Sequence, residues 1–197
     1  MDKNLERDLV NYLFFELNKQ VFIIDDEIFE YDVQYYIHTF LKFRFKNTNT
    51  KVKREKHKTD HIIECYDENK QLDNEIQIEL KTFIKSQESL SRLKIYNDIN
   101  KLHKTMSSNN EYYFLLVVKE KHLTKISDKN KDLIECLNGN QKKFTFITSN
   151  KKIKTRIIRS FNTSYLVKEK TANNYSDSYI NKYHRNQIRV FMFQILK

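Results

Sequence analysis

The sequence predicts an α/β fold in which helices pack on one central, mixed sheet. Residues 75–82 alternate apolar and polar side chains, as a strand with one buried face does. Residues 112–118 form a continuous apolar run, which is typical of a central strand covered on both faces. Between them, residues 87–106 place an apolar side chain about every three positions, which indicates an amphipathic helix. Strands that alternate with a helix in this way are typical of an α/β domain.

The remaining elements follow from the same periodicities. Two amphipathic helices are predicted at residues 4–19 and 27–45, and Ser86 is the expected N-cap of the helix at 87–106. Strands at 51–57 and 60–66 precede the strand at 75–82, so the three are expected to form an antiparallel meander. A further strand is predicted at 144–148. The spacing of Ile153, Ile157 and Ile158 then suggests a basic helix, and the apolar segment 187–196 is read as a strand or a helix.

Composition sets the class of protein. The 197 residues, 39% of them hydrophobic, suffice for one domain with a buried core, so residues 1–197 are expected to be a single domain. Proline is absent and Gly139 is the single glycine, which excludes glycine-rich phosphate loops and with them a nucleotide cofactor bound in that way. Two cysteines, Cys65 and Cys136, are too few for a disulfide framework and suggest the cytoplasm. No segment approaches the roughly 20 apolar residues of a membrane span, so no membrane is expected as a partner.

Charge is distributed unevenly along the chain. Residues 1–118 hold 18 Lys and Arg against 20 Asp and Glu, a net charge of −2, whereas residues 119–197 hold 18 against 6, a net charge of +12. A basic surface of this kind is suited to a polyanion such as nucleic acid, although charged runs are also common as plain solvated faces.

The segment from Asp60 to Lys81 carries the expected chemistry. Glu79 and Lys81 lie two apart on a strand, so they share one face of the sheet, and a hairpin would bring Asp60 close to Glu79. Glu30 falls on or beside the apolar face of the second helix, where a carboxylate is unusual unless it is paired or bound to a metal. Carboxylate oxygens are the ligands that Mg²⁺ prefers, and a nearby lysine can orient water or stabilise negative charge.

The acidic–x–Lys spacing is weak by itself. It also occurs at Glu68–Asn69–Lys70, in a polar turn where no strand pattern surrounds it. The strand context favours Asp60, Glu79 and Lys81 as a Mg²⁺ or Mn²⁺ site for phosphodiester hydrolysis. The competing interpretation is a surface ion pair between strands, and for Glu30 a carboxylate favoured by the helix dipole.

The run TDHIIECYDENKQLDNEIQIELKTF resembles the core of the PD-(D/E)XK nuclease superfamily, the fold of many type II restriction endonucleases. The resemblance covers about residues 27–118 and implies a restriction-endonuclease-like mixed sheet flanked by helices. It makes Asp60 and Glu79 the metal ligands, Lys81 the catalytic lysine and Glu30, or less well Glu27, the helix glutamate. Thr59 stands where the family often has proline.

The resemblance implies a Mg²⁺-dependent endonuclease that cuts double-stranded DNA, acts as a homodimer and is of the type II restriction class. The first helix and the apolar C-terminal end are the expected dimer interface. Two alternatives stay open: a non-catalytic nucleic-acid-binding module of the same fold, and a defence or mobile-element nuclease that acts on DNA or RNA with relaxed specificity. Residues 119–197 are expected to bind nucleic acid or to dimerise. The expected nucleic-acid contacts are Lys85, Gln87, Lys142, Lys143, Lys151, Lys152, Lys154, Arg156 and Arg159.

Overall fold

Seven strands form one mixed sheet with helices on both faces, so the predicted α/β class is confirmed. The computed structural model describes residues 1–21, 28–56, 59–85, 90–123, 131–139, 141–148, 151–160 and 186–197. The helices are α1 (Lys3–Lys19), α2 (Glu30–Arg44), α3 (Arg92–Lys104), α4 (Glu120–Leu123) and α5 (Lys131–Asn138). The strands are β1 (Thr50–Lys56), β2 (Thr59–Tyr66), β3 (Leu72–Phe83), β4 (Glu111–Lys119), β5 (Lys143–Thr148), β6 (Lys151–Arg159) and β7 (Ile188–Ile195).

The strand order in the sheet is β1-β2-β3-β4-β7-β6-β5. The predicted meander is confirmed, because β1 pairs antiparallel with β2, and β2 antiparallel with β3. After β3 the chain passes through α3 and returns as β4, which pairs parallel with β3. Every other pairing is antiparallel: β4 with β7, β7 with β6, and β6 with β5.

Two apolar clusters cover the two faces of the sheet. Helices α1 and α2 pack on one face, where the alternate residues Ile78 and Leu80 of β3 point. Helices α3, α4 and α5 pack on the other face, where Phe83 of the same strand points. All seven residues from 112 to 118 are buried, as expected for a central strand with both faces covered. Because side chains alternate, Glu79 and Lys81 belong to the face covered by α3.

The predicted basic helix after residue 150 is wrong, because this segment is strand β6. Ile153, Thr155 and Ile157 are buried and alternate with exposed or half-buried basic residues, which is the period of a strand. The segment pairs with the apolar strand β7, which settles the open choice for the C-terminal end as a strand. Helix α3 begins at Arg92 with Ser91 as its N-cap, and the predicted cap Ser86 lies outside the described residues. Helices α4 and α5 were not predicted.

Most of the apolar surface expected to form a dimer interface is buried within the fold, although Phe15 of α1 is 52% exposed. The apolar side chains of α1, such as Leu9 and Leu13, are buried against the sheet, and β7 is an inner strand between β4 and β6. Asn18 of α1 donates hydrogen bonds to the main-chain oxygens of Phe14 (2.7 Å) and Ile188 (3.0 Å) and accepts one from the Ile188 N–H (2.9 Å). These buried bonds hold α1 onto the start of β7. Among the described helices, none is long and apolar enough to cross a membrane.

Candidate active site

Asp60 and Glu79 lie on neighbouring strands at one end of the sheet. His61 of β2 pairs with Ile78 of β3, and one further step in this antiparallel register sets Asp60 opposite Glu79. The Oδ2 atom of Asp60 accepts a hydrogen bond of 2.7 Å from the main-chain N–H of Leu80. The hairpin therefore brings Asp60 and Glu79 together, as the sequence predicts.

The two carboxylate oxygens of Glu79 differ in their hydrogen bonding. The residue is 8% exposed, and its Oε1 atom accepts a hydrogen bond of 2.8 Å from Nζ of Lys101 on α3. Its Oε2 atom is buried and has no hydrogen-bond partner among the residues that the structure describes. A buried carboxylate oxygen without a partner is costly for the fold, so this atom marks a position where a cation or a water would be stabilised.

Helix α2 brings a third carboxylate and an amide to this end of the sheet. The Oε2 atom of Glu30, at the start of the helix, accepts a hydrogen bond of 2.8 Å from Oγ1 of Thr82. One turn later, Nε2 of Gln34 donates to Oδ1 of Asp60 at 3.1 Å. Nη2 of Arg54, on β1, donates in turn to Oε1 of Gln34 at 2.6 Å. Glu30 is thus placed beside the strand that carries Lys81, whereas Glu27 lies outside the described residues.

Lys81 meets a carboxylate that the sequence analysis did not single out. Its Nζ atom lies 3.9 Å from Oδ2 of Asp98 on α3, and both side chains are partly exposed. Asp98 and Lys101 are three apart on α3, so they share the side of the helix that faces Glu79 and Lys81. The signal that could have found them is their position on the helix that crosses over from β3 to β4, since such a helix packs on the sheet beside those strands.

Burial and like charge act together on these carboxyl groups. Burial raises the pKa of Asp60, and the charges of Glu30 and Asp98 raise it further, against the lowering effect of the Leu80 N–H. Burial raises the pKa of Glu79 to about 7; the hydrogen bond from Lys101 opposes this rise, and the charge of Asp60 adds to it. Burial also raises the pKa of Asp98, against the lowering effect of Lys81 and Lys101. Burial thus disfavours the charged form of all three carboxyl groups, and the two lysines only partly oppose this.

The donor set suits a hard divalent cation. In the part of the chain that the structure describes, no three His, Cys, Asp or Glu side chains are arranged as a metal-binding group. Asp60 and Glu79 nevertheless supply carboxylate oxygens, which Mg²⁺ prefers, and Oε2 of Glu79 is buried among them without a partner. A cation bound there would stabilise the charged form of both groups, which burial disfavours and the neighbouring carboxylates disfavour further. The residues present therefore fit a Mg²⁺ ion held by Asp60 and Glu79.

The predicted nucleic-acid contacts fall into two groups. Five lysines are exposed on or beside the β5–β6 hairpin, and Lys85 is exposed just after β3, with its Nζ atom 5.9 Å from the ring centre of Phe29. Those five are Lys142, Lys143, Lys151, Lys152 and Lys154. Gln87 lies outside the described residues.

The two predicted arginines are bonded within the fold. Arg156 donates from Nη2 to both carboxylate oxygens of the buried Glu6, at 2.6 and 2.7 Å, and from Nε to Oε1 of Gln194 at 2.8 Å. Arg159 donates from Nη2 to the main-chain oxygen of Cys136 at 2.6 Å, and its buried Nε atom has no hydrogen-bond partner in the described part of the chain. Both arginines therefore hold helices to the sheet, whatever else they contact.

Comparison with known proteins adds no assignment for this site. The chain matches no protein-family model, and a search of curated proteins found no significant match.

Proposed function

We propose that this chain is a Mg²⁺-dependent endonuclease that hydrolyses phosphodiester bonds in double-stranded DNA, of the kind found among type II restriction enzymes. The observation that carries the proposal is that Asp60 lies opposite Glu79 on the paired strand, with Lys81 two residues beyond Glu79 on the same face. One buried oxygen of Glu79 has no hydrogen-bond partner among the described residues. When bound, Mg²⁺ would polarise the phosphate and lower the pKa of a coordinated water.

Each side chain has a distinct role in this proposal. Asp60 is held by the Leu80 N–H and the Gln34 amide, which orient its carboxylate as a metal ligand beside Glu79. The Lys81 ammonium would orient the attacking water or stabilise charge that develops on the phosphate. Asp98, 3.9 Å away, limits where that ammonium can lie and is therefore a positioning residue.

The proposal includes a homodimer, since cutting both strands of a two-fold symmetric site requires two active sites. Sedimentation of the purified protein, with and without a duplex, measures this directly. A single protomer on the duplex would contradict this part of the proposal and leave the cleavage chemistry standing.

A second candidate is a nucleic-acid-binding module without catalysis, and one contact favours it. The Lys101 ammonium lies 2.8 Å from Oε1 of Glu79, so it already supplies positive charge that a metal would otherwise bring. In that case Lys101 takes the place of a cation at Glu79.

Plasmid cleavage with and without Mg²⁺ decides between the two. Wild-type protein is expected to nick or cut supercoiled DNA with Mg²⁺ or Mn²⁺ and to lose this in EDTA. Glu79→Gln and Lys81→Met are expected to lower cleavage by about 10²–10³-fold while duplex binding is retained. Glu75→Gln is the matched control, because it removes a carboxylate from the same face of β3 four residues away.

Two results would count against the nuclease. Cleavage by the Glu79→Gln and Lys81→Met double variant at the wild-type rate would show that the site is misassigned. Duplex binding without cleavage of DNA or RNA by any divalent metal would favour the binding module. Sequencing of the cut ends then separates a restriction enzyme, which leaves one recurring site, from a nuclease of relaxed specificity.

A further inference from the structure

Strand β6 extends beyond its neighbour β5, and a cleft lies along the edge that this leaves. The first residue of β5, Lys143, pairs with Arg156, so Ile157 to Arg159 have no partner on β5. A cavity of about 520 Å³ lies beside this part of β6, between the chain leading into β5 and the start of α1. We call it the β6 cleft; it is lined by Arg7, Asn11, Lys142, Arg156, Ile157, Ile158, Arg159 and Ser160.

The β6 cleft has a strong positive charge. Four of its eight lining residues are Arg or Lys, and none is Asp or Glu. Of these four basic residues, Arg156 is the one that forms an ion pair with a described carboxylate, that of Glu6. Arg7 and Lys142 are exposed, and neither forms an ion pair with any residue that the structure describes. Two cations are therefore available to a ligand at the mouth of the cleft.

The backbone adds a hydrogen-bond donor to these charges. The Ile157 N–H donates to the main-chain oxygen of Lys142 at 2.9 Å, and the Ser160 N–H donates to that of Val190, on the other side, at 2.9 Å. Because successive N–H groups of a strand point to opposite edges, the Arg159 N–H points to the same edge as that of Ile157. That edge borders the cleft. An amide N–H surrounded by arginine and lysine side chains is a setting suited to phosphate oxygens.

The β6 cleft lies at the same end of the sheet as the candidate active site. Lys81 of β3 pairs with Leu116, Leu116 with Phe191, and Phe191 with Arg159 of β6. Lys81 and Arg159 thus stand in one row across four strands, roughly 14 Å apart at the usual spacing between strands. The spacing between these two strands along the sheet is thus well under one turn of a DNA duplex, roughly 34 Å, which is compatible with one duplex that passes the end of the sheet and contacts both places.

We propose that the β6 cleft binds a phosphate of the nucleic-acid backbone, away from the phosphate that is cut. The choice of nucleic acid as the ligand depends on the proposed function, whereas the anionic site itself does not. Two exposed lysines near the cleft favour a polymer over a small anion: Lys143 pairs with Arg156, and Lys154 lies two residues before Arg156 on β6.

Duplex binding in EDTA tests the cleft without any cleavage. Arg7→Gln and Lys142→Gln each remove one exposed cation, and neither breaks an ion pair with a described residue. Fluorescence anisotropy with a labelled duplex of about 20 base pairs is measured at several salt concentrations. Each variant is expected to bind several-fold more weakly and to reduce the slope of log K against log salt by about 1.

Lys70→Asn is the matched control. It removes one exposed lysine from the turn between β2 and β3, at the opposite end of these strands from Asp60 and Lys81. Lys70 has a positive φ of 62°, which asparagine tolerates. We expect this variant to bind the duplex with the wild-type affinity and salt slope.

The outcomes separate this inference from the proposed function. Unchanged affinity and slope in both Arg7→Gln and Lys142→Gln would refute the cleft assignment even if the protein cuts DNA. Weakened binding in both, in a protein that cuts nothing, would support the cleft and refute the nuclease. If inorganic phosphate binds wild type but not Arg7→Gln, while duplex binding is the same in both, the cleft holds a small anion and the backbone assignment is wrong.

Discussion

Substitution of Glu79 by glutamine should stabilise the folded chain at neutral and alkaline pH. Burial raises the pKa of this carboxyl group to about 7 from an ordinary value of 4.5. Glutamine has nearly the same shape and never ionises, so it removes the cost of a buried charge. In the absence of metal we therefore expect Glu79→Gln to be more stable than wild type wherever the wild-type carboxyl is forced to ionise.

The direction of the pH dependence follows from the raised pKa. Between pH 4.5 and about 7 the folded protein binds a proton that the unfolded chain has lost, so stability falls as pH rises through this window. At 1.36 kcal/mol per pKa unit, the full effect is about 3 kcal/mol. The advantage of Glu79→Gln should thus be about 1 kcal/mol at pH 5 and about 3 kcal/mol at pH 8.

Urea unfolding without divalent metal, measured from pH 5 to pH 8, gives these differences. Glu75→Gln, on the same face of β3, measures the general effect of removing one carboxylate. An advantage of Glu79→Gln that does not change with pH, or a wild type that is the more stable at pH 8, would refute the reasoning. Addition of Mg²⁺ should reduce the advantage, because the proposed metal stabilises the wild-type carboxylate.

Lys101→Met gives a second measurement on the same group. The Lys101 ammonium lowers the pKa of Glu79, so its removal should raise that pKa above 7. The pH range over which stability falls should then extend above pH 7, while its lower limit of 4.5, set by the unfolded chain, stays the same. An upper limit that stays near pH 7 would show that Lys101 does not hold the charge of Glu79.

Two further predictions concern stability alone. Arg156→Met leaves Glu6, which is 1% exposed, without its cation and should lower the free energy of unfolding by about 3 kcal/mol in urea. Adding Glu6→Gln to the same chain should restore most of this loss. A loss under about 1 kcal/mol would contradict this account. Asn18→Ala removes the buried hydrogen bonds to the N–H and oxygen of Ile188 and should lower the free energy of unfolding by about 2 kcal/mol. Hydrogen exchange at the Ile188 amide should become faster, and unchanged exchange would show that Asn18 does not protect this amide.

Local periodicity carried most of the fold prediction. Most helices and strands up to residue 119 were found from their apolar pattern, as in the alternation of β3 and the unbroken apolar run of β4, whereas the polar strand β1 has a single apolar residue, Val52. The prediction for residues 151–159 was wrong because the apolar spacing there fits two periods. Ile153 and Ile157 are four apart, which suits one turn of a helix and two steps of a strand equally well. Pairing with β7 decided between the two.

The residues of the candidate site also divide into those that local spacing predicts and those that it does not. Asp60, Glu79 and Lys81 were predictable because strand periodicity and a hairpin place them together within 22 residues of chain. Asp98 and Lys101 belong to a helix whose own pattern shows only which side is apolar. Their contacts with Lys81 and Glu79 exist because α3 packs on one face of the sheet.

The sequence by itself determined the α/β class, the meander, the acidic pair with its lysine and the uneven charge, because each depends on spacing within one short segment. Only the tertiary structure decided that Glu79 carries an unpartnered buried oxygen, that Arg156 is bonded to Glu6, and that Arg159 shares a row with Lys81. Burial and pairing between distant segments depend on how the helices and strands pack, and local spacing does not specify that packing.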